Sequence, residues 1–175
     1  MLTKLINKPI QINSFLIELK LNISQIKNNL ISEIEKGILQ KDNMNFQTNV
    51  KGQMTSWSYF NDNLNFKNIL KDSLKEIRNY VSLDQAYLVE SWGIKISRGE
   101  TTNFHDHSEC IFSGILYLND FDEPIIFPNY NLKIIPKEGT FMLFSGLLEH
   151  GTEPSNSDII KYAIPFNFRS KKSWN

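Results

Sequence analysis

Apolar side chains at Ile23, Ile26, Leu30, Ile34 and Ile38 recur at the spacing of one helical face. The stretch "NISQIKNNLISEIEKGI" is therefore predicted to be a packed amphipathic helix. A second helix fits "NFKNILKDSLKEIRNYV", with Phe66, Ile69, Leu70, Leu74, Ile77 and Val81 on one side. Between them runs "QKDNMNFQTNVKGQMTSW", polar, without a clear period, and too long for a simple connection, which marks it as a candidate functional loop. Residues 9–20 mix apolar and polar positions and are a candidate strand.

From residue 86 the pattern changes. "AYLVESWGIKIS", "IFSGILYL", "EPIIFP", "NLKIIP", "TFMLFSG" and "IIKYAIPFNF" are short, rich in β-branched and aromatic residues, and bounded by Gly, Pro, Asn or Asp. Helices come first and strands follow. This order predicts a mainly β protein with N-terminal helices, its strands forming an antiparallel double-sheet barrel or jelly roll. No repeat, linker or low-complexity tract divides the chain. One domain is expected over 1–175, with helical support over about 1–82 and the β core over about 86–169.

Composition narrows the classes of function. An apolar fraction of 41% is too high for a disordered chain. A formal net charge of zero argues against a protein that grips nucleic acid mainly through its phosphates, although a local basic patch stays compatible with it. The single cysteine, Cys110, excludes a disulfide within the chain and fits a reducing compartment. The first residues lack the apolar run of a signal peptide, and no apolar segment reaches the length of a membrane span. The expectation is a soluble, cytoplasmic protein.

The chemistry concentrates in three histidines, His105, His107 and His150, all in the strand-rich half. Alternate residues of an extended segment point the same way, so His105 and His107 can aim at one point while Asp106 faces away. His150 ends another predicted strand, and a double-sheet barrel can bring that end to the pair. Each histidine alone reads as an ordinary strand-end residue; the three together read as a metal site. Imidazoles suit Zn, Fe, Cu or Ni, and composition does not choose among them.

At this point the sequence resembles a known family. "HDHSECIFSGILYLND" followed by "PKEGTFMLFSGLLEHGTEPSNSDIIKYAIPFNF" is similar to the Fe(II)- and 2-oxoglutarate-dependent oxygenases, and in particular to small bacterial and phage members with an H-x-H…H pattern. The matching positions are His105, His107, Ser113, Gly114, Tyr117, Leu118, Gly139, Phe144, His150, Pro154, Phe166 and Asn167. The similarity covers about 92–168 and, more weakly, "NVKGQMTSW".

The resemblance implies a double-stranded β-helix (jelly-roll) core with Fe(II) held by His105, His107 and His150. Better-known relatives carry a carboxylate where His107 stands. His107-x-Glu109 is therefore a rival pairing that restores two histidines and one carboxylate. The cosubstrate 2-oxoglutarate needs a cation for its far carboxylate. The resemblance assigns this to Lys161, 11 residues after His150, with Tyr117 supporting the same carboxylate and Arg169 as the fallback cation. Ser113 is expected to line the pocket, Gly114 and Gly139 to serve turns or close packing, and Asn167 to bond backbone near the site. Trp57 and Trp92 are expected to pack rather than stack on a substrate, and Arg98 to be a surface residue.

The activity implied is hydroxylation of a C–H bond with release of succinate and CO2, on a small molecule or peptide that the sequence does not identify. Two other readings stay open: a cupin-type dioxygenase or isomerase that does without 2-oxoglutarate, and a non-catalytic binding module on the same barrel. Gly99 lies six residues before His105, as in cupins, but Glu109 follows His107 too early for that pattern.

Overall fold

The computed structural model describes residues 14–40 and 48–171, so residues 9–13 of the candidate first strand and 41–47 of the candidate loop lie outside the described residues. Within them the protein is mainly antiparallel β-structure with two α-helices. The strands are β1 Leu16–Lys20, β2 Gln53–Met54, β3 Ala86–Ser91, β4 Ile94–Ile96, β5 Phe112–Tyr117, β6 Ile125–Phe127, β7 Leu132–Ile134, β8 Thr140–Ser145 and β9 Lys161–Ser170. The helices are α1 Lys27–Leu39 and α2 Leu64–Ile77.

Both helices form where the apolar spacing predicts them, with α1 starting later. Residues 24–26 make a turn instead, because the Asn22 side chain accepts hydrogen bonds from Ser24 N and Ser24 Oγ at 3.2 and 2.8 Å. Such local side-chain bonds compete with helix formation. α2 starts sharply because Asn63 Oδ1 accepts from Phe66 N at 3.0 Å, satisfying one of the free amides of the first turn.

The large sheet runs β1-β8-β5-β9-β4-β2, with β3 also paired to β9; β6 and β7 form a second, two-stranded sheet. Alternation along the strands divides the interior in two. Phe112, Leu116, Phe141, Leu143, Ile164, Phe166 and Phe168 pack on the helix side with Leu30, Ile34, Phe66 and Ile77. Ile115, Tyr117, Met142, Phe144 and Ala163 pack on the opposite face with Ile125 and Phe127 of β6. Each such buried side chain contributes about 1.5–3 kcal/mol, so the helices act as a lid that lets the sheet keep its other face for a site.

The stretch 86–97 forms two strands rather than the one its pattern predicts. β3 and β4 pair successive parts of β9, through Ser91↔Phe166 and Ile94↔Ala163, and the seam lies opposite Pro165. Trp92 N donates to Pro165 O at 3.1 Å, but proline has no N–H to return. Gly93 turns instead to the neighbouring loop, accepting from Thr55 N at 3.0 Å and donating to Thr55 Oγ1 at 2.9 Å. That exchange ties the loop before α2 to the sheet. No helix among the described residues is long and apolar enough to cross a membrane.

Candidate metal centre

His105 and His107 lie on the segment between β4 and β5, and His150 follows β8. The backbone brings them together. His105 and His150 form an isolated antiparallel bridge, with N–H···O bonds of 3.0 and 2.9 Å in the two directions. His107 N donates to Gly146 O at 2.8 Å, which fixes the second histidine beside the end of β8. The ring centroids are 4.6 Å apart for His105–His150, 4.8 Å for His105–His107 and 5.4 Å for His107–His150. One ring nitrogen from each lies within 4.8 Å of the others, close enough to ligate a single ion.

Two of the rings are oriented from behind. His105 Nδ1 lies 2.7 Å from Asn103 O, and His150 Nδ1 lies 2.8 Å from Leu148 O. A carbonyl only accepts, so Nδ1 carries the proton and Nε2 keeps its lone pair. Histidines that bind metals are commonly held in this way.

Burial favours the neutral form of all three. It pushes His105 below the ordinary histidine range. His107 falls to about 4, through burial and then the neighbouring His105. His150, walled by Phe144 at 4.8 Å, falls to about 3, mostly through burial. Neutral imidazole is the ligating form.

The three rings open on a cavity of about 60 Å³ whose lining also includes Tyr117 and Lys161. Both are almost wholly buried, at 1% and 2% exposure. Burial pushes the Tyr117 hydroxyl up and the Lys161 ammonium down to about 8. The Lys161 ammonium lies 5.1 Å from the centre of the Phe121 ring and is supported at longer range by Glu123. It enters no salt bridge among the described residues. A buried cation facing a cavity without a carboxylate against it is costly unless an anion fills the space.

Solved structures share this architecture. A viral collagen prolyl hydroxylase from Paramecium Bursaria Chlorella virus-1, in complex with 2-oxoglutarate, aligns at a TM-score of 0.66 and 16% identity over 89% of this chain and 96% of its own. HygX from Streptomyces hygroscopicus, with nickel and 2-oxoglutarate bound, aligns at 0.64 and 11% identity over 89% and 82%. A Trichoplax adhaerens prolyl hydroxylase, in complex with a hypoxia inducible factor peptide fragment, aligns at 0.62 and 15% identity over 90% and 84%. The fold is that of the 2-oxoglutarate–Fe(II) oxygenases. No family model and no curated protein matches the chain in sequence. The likeness to these oxygenases is therefore carried by the backbone.

Within this oxygenase fold Glu109 and Arg169 depart from their expected roles, while Arg98, Trp57, Trp92 and Gly114 keep theirs. Glu109 stays outside the histidine cluster: its carboxylate accepts from Arg169 Nη2 at 2.9 Å, which also occupies the fallback cation. Asp106 is exposed and caps Ser108 N at 3.1 Å. Arg98 pairs with Asp158 on the surface. Trp57 and Trp92 pack edge to face at 4.7 Å, and Trp92 also lines the cavity. Gly114 is a packing glycine, since a Cβ there would lie 2.3 Å from the Phe166 ring.

Ser113 lines the cavity, but Asn167 does not bond backbone. Its side chain takes a hydrogen bond from Ser113 Oγ at 2.6 Å and gives one to Glu90 Oε1 at 2.7 Å. Glu90 is a residue of the site that motif spacing does not single out. The available signal was a lone carboxylate inside the apolar run "AYLVESW".

Proposed function

We propose that this chain is an Fe(II)- and 2-oxoglutarate-dependent oxygenase, a single domain over 1–175 with a double-stranded β-helix core. The observation that carries the reading is one cavity holding both halves of the chemistry. Three neutral imidazoles converge at one point, and a buried lysine and tyrosine share the same walls.

The donor set fits the metal. Imidazole suits iron, two of the three rings present Nε2 with the tautomer already fixed, and neutral ligands leave the ion its full double charge. That charge and Lys161 then bracket a cavity suited to a small dianion. His105, His107 and His150 would hold Fe(II). Lys161 would neutralise the far carboxylate of 2-oxoglutarate as a point charge, with the Tyr117 hydroxyl as a donor to the same group. When bound, iron and 2-oxoglutarate together supply oxidation of an unactivated C–H bond by O2, with succinate and CO2 as coproducts. Phe144 and Phe127 beside His150 keep water from the ion.

The cavity is small, about 60 Å³, so the group to be hydroxylated would have to reach in from its mouth. A small molecule or a peptide side chain meets that requirement, and one neighbour of this fold is in complex with a peptide fragment. The all-imidazole ligand set also suits a cupin-type dioxygenase without 2-oxoglutarate. Lys161, buried and without a salt bridge among the described residues, favours the first reading.

Anaerobic titration of the protein with Fe(II) and then 2-oxoglutarate separates the two. A weak visible metal-to-ligand charge-transfer band, followed by succinate formation on admitting air, is the expected result. Iron binding with neither band nor succinate would sink the 2-oxoglutarate reading.

A further inference from the structure

His107 differs from the other two histidines in what stands behind it. His105 and His150 each turn Nδ1 to a backbone carbonyl, an acceptor. His107 Nδ1 faces Asn167 Nδ2 at 3.4 Å. The orientation of that amide follows from its other contacts. Glu90, a carboxylate, accepts at 2.7 Å and so demands the NH2 end, while Ser113 Oγ gives its proton to Asn167 Oδ1 at 2.6 Å. Asn167 is 1% exposed and Ser113 2%, so no bulk water competes for these bonds. The two amide hydrogens therefore point one at Glu90 and one at His107. A neutral imidazole that meets a donor at Nδ1 keeps its lone pair there and carries its proton on Nε2.

We propose that Asn167, clamped by Glu90 and Ser113, is a positioning residue that holds metal-free His107 as the Nε2–H tautomer. His107 then joins the metal only when the Asn167 amide turns over. The proposal rests on the reading of the three histidines as a metal site. It divides that site into two preset ligands, His105 and His150, and one adjustable ligand. With His107 disengaged, His105 and His150 would hold the ion, and the His107 Nε2–H would be a hydrogen-bond donor on the wall of the same cavity. Turning the amide presents Oδ1 to a proton on Nδ1 and frees Nε2, at the expense of the bond to Glu90.

Imidazole tautomers are read directly from long-range 15N–1H correlation spectra of the metal-free protein near neutral pH. The expected pattern is Nδ1–H for His105 and His150 and Nε2–H for His107, assigned with single histidine variants. A His107 signal of the Nδ1–H type overturns the proposal. The double variant Asn167→Asp/Glu90→Gln replaces the donor behind His107 with an acceptor and keeps a hydrogen-bond partner at position 90. Calorimetric titration with Co(II) is expected to show binding at least about tenfold tighter than in the parent, within the range that partners of metal ligands typically control. A role limited to packing predicts equal or weaker binding, and that result in a folded variant overturns the positioning claim. Failure of the unaltered protein to bind Co(II) at all would sink the metal reading, while the tautomer spectra still decide the role of Asn167.

Discussion

His105 and His150 are joined twice, once by a pair of backbone hydrogen bonds of 3.0 and 2.9 Å and again by rings whose centroids lie 4.6 Å apart. The bridge belongs to the main chain, so it does not depend on the imidazoles it presents. His105→Ala and His150→Ala should accordingly keep the far-ultraviolet circular dichroism of the parent. Each should lose more than the ~10–100-fold in metal affinity that a partner behind a ligand contributes. Titration with Fe(II) under argon, beside the spectra, measures both. Unimpaired binding by either variant would remove that histidine from the ligand set.

Metal-free protein should lose stability in mild acid. His107 and His150 are depressed to about 4 and about 3 in the folded state, against 6.5 as the ordinary value. Between these limits the unfolded chain binds more protons, so stability rises with pH. Their contribution is complete above about 6.5 and is lost as pH falls toward the folded values. Each histidine adds a slope of up to about 1.4 kcal/mol per pH unit in that window. Urea melts at a series of pH values should show the slope flatten in a variant with both replaced by Gln.

On the proposed function, Lys161 should set stability against cosubstrate binding. Its ammonium is buried and pushed down to about 8 by desolvation, so the fold bears a cost for the charge. Lys161→Met should raise Tm by ~2–4 °C for each kcal/mol recovered in a chain of this size, while 2-oxoglutarate binding weakens at least about tenfold. In the unaltered protein, affinity for 2-oxoglutarate should decline as pH rises through about 8, where the free lysine loses its proton. Thermal melts and binding isotherms over that range test both statements. A pH-independent isotherm would move the anchoring role elsewhere.

Gly114 is a steric requirement of β5. A Cβ at this position would meet the Phe166 ring at 2.3 Å and Met142 O at 2.6 Å. Gly114→Ala should cost about 1–3 kcal/mol or more, the usual penalty of overpacking a filled core. Chemical denaturation should report it as a lower midpoint with an unchanged m-value.

Much of this arrangement is legible in the sequence because it rests on local periodicity. The apolar spacing of Phe66, Leu70 and Ile77 marks α2, and the parity of His105 and His107 places both rings on one side of an extended segment. What escapes is set by partners distant in sequence. Nothing local to "AYLVESWGIKIS" says that Pro165 stands opposite its middle and breaks it into two strands. Nothing near Asn167 shows that Glu90, 77 residues earlier, and Ser113, 54 earlier, hold its amide. Glu109 fits a ligand position by spacing alone, because the sequence conceals its pairing with Arg169.

β9 pairs with β3, β4 and β5 and spans Lys161–Ser170 without interruption. Lys161, Pro165 and Asn167 line the cavity, while Ile164, Phe166 and Phe168 point into the helix-side core. The strand therefore works as a ruler. The spacing between the buried Lys161 ammonium and the Asn167 amide behind His107 is six residues, about 20 Å of contour at the rise of an extended chain. A single-residue insertion between them would leave every side chain chemically intact and yet send Lys161 or Asn167 to the wrong face. The separation of the two groups is thus inherited as a count of residues.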